Sequence, residues 1–179
     1  MCRLNKIVSG GQTGVDQAAL RAAKASGLSV GGWCPPGRLC EAGIIPSEFP
    51  LQETTRERSP DAPDVPRSQR TEWNVRDSDA TLVLMSSGAS HSEAATEEDQ
   101  GDAGTNWTVQ SAAHYRRPIL VCDVSDPNAK EKVRRWLAAL SINTLNVAGP
   151  SEGTSPGIGD RAYMLLVQIF KQLPRADRT

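Results

Sequence analysis

Ser9-Gly10-Gly11-Gln12-Thr13-Gly14-Val15-Asp16 joins two different periodicities, and the join decides the fold. The short, largely apolar stretch 6–9 that leads into it has the character of a strand. After it, residues 13–26 place Val15, Ala18, Ala19, Ala22 and Ala23 on one helical face. A strand, a glycine turn and a helix in that order open an α/β unit. Glycines let a backbone approach a phosphate closely, and the N–H groups and dipole of a helix start supply positive potential. The turn is no standard nucleotide fingerprint: Ser9 occupies the first glycine place of a G-x-G-x-x-G frame ending at Gly14, and no GK[ST] follows. Two readings stay open at residues 10–14, an anion cradle and a tight structural turn.

The rest of the chain repeats the alternation. Residues 29–33 suggest a strand, 68–77 a helix, and 80–85 (Ala-Thr-Leu-Val-Leu-Met) a central strand that is apolar on both faces. A helix is expected from Gly104 to about Tyr115, a strand over 118–122, and a helix after the capping pair Asp126-Pro127. Residues 144–147 offer a short strand, and Ala162, Leu165, Leu166, Ile169, Phe170 and Leu173 recur at helical spacing. Alternating strands and helices imply a mostly parallel sheet with helices on its faces. Prolines at 46, 50, 60, 63 and 66 argue for an extended surface segment over 46–66. Residues 86–103, with Glu93, Glu97, Glu98, Asp99 and Asp102, read as a mobile polar loop. No repeat or composition break divides the 179 residues, so one domain over 1–179 is expected.

Composition narrows the function. Twenty basic against 21 acidic residues provide no global field to attract nucleic acid or an anionic membrane. The four cysteines lack CxxC spacing and there are only two histidines, His91 and His114, so no zinc ligand set emerges and a reducing compartment is expected. With no signal-like run and nothing near about 18 consecutive apolar residues, the chain reads as cytoplasmic. Gly104-Thr105-Asn106-Trp107-Thr108 is a second glycine turn entering a helix, and parallel strands put such turns on one edge, where they can meet on one ligand. A third glycine-rich stretch, 149–157, also precedes a helix, where ordinary capping explains it equally well.

Four motifs in order carry a resemblance: 9–16, Gly31-Gly32-Trp33-Cys34-Pro35 with Gly37-Arg38, Arg70-Thr71 with residues 74–81, and Asn146-Val147-Ala148-Gly149-Pro150. Together they resemble the molybdenum cofactor carrier proteins over nearly the whole chain. The resemblance implies a Rossmann-like three-layer sandwich, related to the Lonely Guy phosphoribohydrolases and commonly assembled as dimers or tetramers. It also implies a phosphorylated small molecule, molybdenum cofactor (molybdopterin), carried as cargo and passed to a molybdoenzyme or received from a cofactor-synthesis protein. Gly10, Gly11, Gln12, Thr13 and Gly14 would contact phosphate, with Ser86, Gly104, Thr105, Asn106 and Thr108 on the other side; Arg38 and Arg76 suit either charge-assisted bonds to it or surface and loop-bracing ion pairs. Trp33 suits either stacking on a flat ring or packing in the core, the second being commoner.

No GxSxG elbow, HExxH pair or Cys–His motif is present, so the sequence advertises binding rather than turnover. The related phosphoribohydrolases resemble a PGGxGTxxE pattern with a catalytic glutamate; here Thr108 stands at that place. A nucleotide-derivative binding protein or a phosphoribohydrolase of that type remains the alternative.

Overall fold

The computed structural model describes residues 4–86 and 103–173. Strand β1 (Lys6–Val8) leads into the glycine turn and helix α1 (Val15–Ala25) leaves it. There follow β2 (Ser29–Gly31), β3 (Trp33–Cys34), β4 (Leu39–Cys40), β5 (Gly43–Ile44) and β6 (Gln52–Glu53). The chain then alternates through α2 (Ser68–Arg76), β7 (Ala80–Met85), α3 (Ala103–His114), β8 (Ile119–Asp123), α4 (Ala129–Ala139), β9 (Thr144–Ala148) and α5 (Ile158–Phe170). The main sheet has five strands in the order β2-β1-β9-β7-β8, every neighbouring pair parallel. This is the parallel, helix-flanked sheet that the alternation predicts and the Rossmann-like sandwich that the resemblance implies.

The sheet's two faces differ in chemistry. Because side chains alternate along a strand, Ile7, Leu82, Leu84, Leu145 and Val147 share one face, where they pack with Val15, Val133, Leu137, Leu166 and Ile169 of α1, α4 and α5. The alanines 18, 19, 22 and 23 of α1 are fully buried, and their small side chains let that helix lie close. The opposite face carries Thr81 and Asn146, whose amide donates to the Thr81 hydroxyl at 3.3 Å. α2, which pairs with α3, is correspondingly polar inside, burying Ser68, Gln69, Thr71, Glu72 and Asn74.

Three expectations need correction. Residues 29–33 are not one strand: the chain leaves the main sheet at Gly32, and β3 pairs instead with β6. Residues 46–66 are not merely surface, because Phe49 and Leu51 join Ile45, Leu20, Cys34 and Cys40 in a second apolar cluster. The prolines prevent long elements there without preventing burial. Asp126 does not cap α4; Asn128 holds that place, and the Asp126 carboxylate accepts the Asn128 N–H at 2.8 Å in a turn preceding the helix. The acidic residues of 87–102, with His91, Glu93, Glu97 and Glu98, lie outside the described residues.

β9 sits between β1 and β7, which fixes where a ligand can enter. From β1 the chain crosses to β2 on one side, and from β7 it crosses to β8 on the other. The connections therefore diverge around the carboxyl end of β9, the topological switch point at which open α/β sheets bind ligands.

Candidate functional site

A cleft of about 310 Å³ opens at that switch point. Gln12 and Asp16 follow β1; Arg67, Arg70 and Thr71 come from the start of α2; Gly104, Thr105 and Thr108 from α3; and Gly149, Ser151 and Thr154 follow β9. Its volume is at the small end of the range for ligand pockets, roughly 300–1,000 Å³.

The electrostatics turn on one buried pair. Asp16 is only 2% exposed, and its carboxylate accepts the Gln12 N–H at 3.2 Å and the Arg70 Nη1 at 2.5 Å. Burial pushes the Asp16 carboxyl up from its ordinary value, against the lowering pull of the Arg70 guanidinium and the Gln12 amide. Arg70 Nε is buried with no hydrogen-bond partner among the described residues, an orphan donor in the cleft wall. Arg67, half-buried in the same wall, makes no ion pair among the described residues and has the left-handed backbone (φ 58°) that starts α2. The charges of the described lining residues therefore sum to one cation beyond neutrality, and an unsatisfied guanidinium N–H lies buried in the cleft wall.

The glycine turn itself is occupied by protein. A side chain at Gly10 would strike Arg70, one at Gly11 (φ 78°) would meet Leu51 at 2.6 Å and Ile45 at 2.8 Å, and one at Gly14 would meet the Pro150 carbonyl at 2.5 Å. The N–H of Gln12 goes to Asp16, that of Thr13 to the Gln12 side chain at 3.0 Å, and that of Val15 to Pro150 at 3.2 Å. Of the donors expected to cradle phosphate, the Gln12 and Thr13 N–H groups thus bind protein acceptors. The Gln12 side-chain oxygen also accepts the Glu41 N–H at 2.9 Å, and the Thr13 hydroxyl donates to the Glu41 carboxylate. Thr13 and Gly14 line a neighbouring groove with Glu41 and Glu152 rather than the cleft.

Of the other residues singled out from sequence, Gly104, Thr105 and Thr108 do border the cleft, and the Thr108 hydroxyl donates to the Gly104 carbonyl at 2.8 Å. Asn106 lies in a separate depression beside residues 61–65. Ser86 accepts a hydrogen bond from Arg161 at 2.9 Å. Arg38 donates to the carbonyls of Leu51, Pro46 and Phe49 at 2.9, 3.2 and 2.9 Å, so its guanidinium braces the second apolar cluster. Arg76 grips Asp77 through two bonds of 2.7 and 2.8 Å and lies over the Trp73 ring. Trp33 stands edge-on to Trp73 with centroids 4.7 Å apart and donates its indole N–H to Asp77 at 2.7 Å. None of Arg38, Arg76 and Trp33 borders the cleft. Sequence reading missed Arg67, placed Arg70-Thr71 in a motif without a role, and left Ser151 and Thr154 in the third glycine-rich stretch, 149–157, where capping is an equal explanation; Arg67 follows a proline at a helix start, the one local hint.

The family model that matches the chain is that of the circularly permutated YpsA SLOG family, over residues 7–170. The crystal structure of a protein from Syntrophus aciditrophicus SB named "Putative molybdenum carrier protein" is 34% identical, with a TM-score of 0.77, the match covering 94% of this chain and 96% of that one. No curated protein matches.

Proposed function

This chain belongs to the circularly permutated YpsA SLOG family, and we propose that it binds and carries molybdenum cofactor without turning it over, holding the phosphate end in the Arg67–Arg70 cleft. The observation that carries this reading is that, among the described residues, Arg70 Nε has no hydrogen-bond partner and Arg67 makes no ion pair at the switch point of the sheet. A phosphate supplies what both lack, an anion with several acceptor oxygens for guanidinium forks. The hydroxyls of Thr105, Ser151 and Thr154 and the start of α3 add donors and positive potential around it. The name of the Syntrophus relative supports a molybdenum-related cargo. The phosphate seat differs from the one expected of the glycine turn: on this reading residues 10–14 shape the wall by accommodating Arg70, while α2 supplies the charge.

The cleft is small for a whole cofactor, so the flat pterin and its dithiolene extend beyond the described wall. Among the described residues lining the cleft the one carboxylate is Asp16, which is tied to Arg70, so none of these residues offers a free acid or base for N-glycoside hydrolysis. The protein acts in the cytoplasm as a homo-oligomer and exchanges cofactor with a molybdoenzyme or a cofactor-synthesis protein. No described helix is long and apolar enough to cross a membrane.

The test is anaerobic incubation of the pure protein with molybdenum cofactor and, separately, with nucleoside monophosphates. Near-stoichiometric protein should slow cofactor decay, and nucleotides should release no free base above background. Catalytic base release would overturn the carrier reading in favour of a phosphoribohydrolase.

A further inference from the structure

A second cleft, of about 390 Å³, lies between α2 and α3 and shares no lining residue with the arginine cleft. Its polar groups are unlike those of the first. Glu72, 9% exposed, accepts the Tyr115 hydroxyl at 2.6 Å through Oε1, while its Oε2 is buried with no hydrogen-bond partner among the described residues. Ser111, 1% exposed, also lines this cleft, and its Oγ is buried and equally without a partner. Two orphaned buried polar atoms bordering one cleft are costly to leave unfilled, each forfeiting roughly 1–3 kcal/mol of hydrogen bonding.

The surroundings indicate what would satisfy them. Asp61 is a second acid in the lining, and no lysine or arginine is among the described lining residues. The nearby Arg76 is held by Asp77 and also feels the Glu72 charge, and Arg117 donates through Nη2 to the Arg76 carbonyl at 2.9 Å while its buried Nε has no partner among the described residues. Trp107, Tyr115 and His114 provide aromatic walls, with Trp107 fixed by its indole N–H on the Ser68 carbonyl at 3.1 Å and His114 edge-on to Tyr115. Orphaned acceptors, two acids and aromatic rings are complementary to a cation with N–H donors and an apolar stem, and they disfavour an anion. We propose that this α2–α3 cleft is a binding site for a small organic ammonium, whose N–H groups donate to Glu72 Oε2 and Ser111 Oγ while its carbon stem lies against Trp107 and Tyr115. The site is independent of the phosphate cleft.

The experiment is an amide-resolved NMR titration of the full chain with n-butylammonium chloride, with potassium chloride at equal ionic strength, n-butanol and sodium butyrate as controls. Saturable shifts are expected at Glu72, Ser111, Tyr115 and the Trp107 indole for the ammonium alone. Loss of a hydrogen bond to a charged group predicts that Glu72→Gln weakens binding about tenfold or more. Arg67→Asn should leave the binding unchanged, which separates this site from the carrier reading. Absence of saturation in the wild type, equal affinity in Glu72→Gln, or n-butanol binding as tightly as n-butylammonium would each overturn the proposal. If Glu72→Gln does not fold, Ser111→Ala decides: weakened ammonium binding upholds the site and unchanged affinity removes it.

Discussion

Between Gly10 and Gly14 the absence of side chains serves protein contacts: Arg70 crosses Gly10, Leu51 and Ile45 press on Gly11, and the Pro150 carbonyl sits over Gly14. Gly11→Val would force a β-branched residue into the left-handed region and drive it into the second apolar cluster. The two effects together should cost about 2–4 kcal/mol. Urea unfolding should show that loss directly, whereas a variant of wild-type stability that fails to bind ligand would return the phosphate to the turn. The need for glycine at 10, 11 and 14 was legible in the sequence, and the crowding behind it was not, because the atoms that press on these positions come from residues 45, 51, 70 and 150. The arginines illustrate the same limit. Arg38 and Arg76 lie beside motif glycines and aspartates in sequence, but side-chain partners are set by the fold, and both guanidiniums are engaged by neighbours. Arg70 acts across 54 residues on Asp16, a distance no local pattern encodes.

At the scale of elements, the strands and helices of the main sheet follow from periodicity, because each buries one face or both in a continuous core. β7 is the plainest case, six residues with the first five buried. The short pieces between β2 and α2 escape that logic. β3, β4, β5 and β6 have two residues each, too short to show a period; they pair β3 with β6 and β4 with β5 over the second apolar cluster, and side-chain bonds tie them to the rest of the chain. Glu41, in the turn between β4 and β5, is the main such tie: it accepts the Thr13 hydroxyl and the Gly153 N–H at 2.8 Å, joining the hairpin to the glycine turn and to the loop after β9. Its carboxyl is partly desolvated, which raises its pKa, but the bonds from Thr13, Gly153 and Ser151 outweigh this and hold it below the ordinary value. A folded value below the unfolded one, about 4.3, means stability that is present above that pH and lost as pH falls through the folded value. Glu41→Gln should therefore be less stable than wild type near neutral pH and should converge with it in acid. Because Glu41 is exposed, screening limits the neutral-pH gap to about 1 kcal/mol or less. Urea midpoints for both proteins near neutral pH and at about pH 3 check the sign; a gap that widens in acid would show that the carboxylate is not what ties the three segments.

For the molecule as a whole, the sequence predicts parallel α/β layering but not that the last strand enters the middle of the sheet, since strand order depends on which crossovers can close and not on any one segment. That insertion brings the loop after β9 to the same edge as the turn after β1 and the start of α3, and α2 closes the group with Arg67 and Arg70. A ligand held there touches segments spread from residue 12 to residue 154, so its binding energy should appear in global unfolding. At a ligand concentration about 100 times Kd the native state gains roughly 2.7 kcal/mol. Arg67→Asn is the informative variant. Asparagine tolerates the left-handed backbone at this position, and Arg67 makes no ion pair among the described residues, so the unliganded protein should unfold within about 0.5 kcal/mol of wild type. Removing one charge-assisted bond should weaken phosphate binding about tenfold or more. At the same concentration of molybdenum cofactor, kept anaerobic, the gain in the variant should then fall to about 1.4 kcal/mol or less, because RT ln(1 + [L]/Kd) is evaluated at about 10 times Kd. Raising ionic strength should shrink the wild-type gain more than the variant's, since the variant has lost part of the attraction that salt screens. A full ligand-induced shift in Arg67→Asn would place the phosphate away from α2 and leave the cleft at the switch point without its main anion contact.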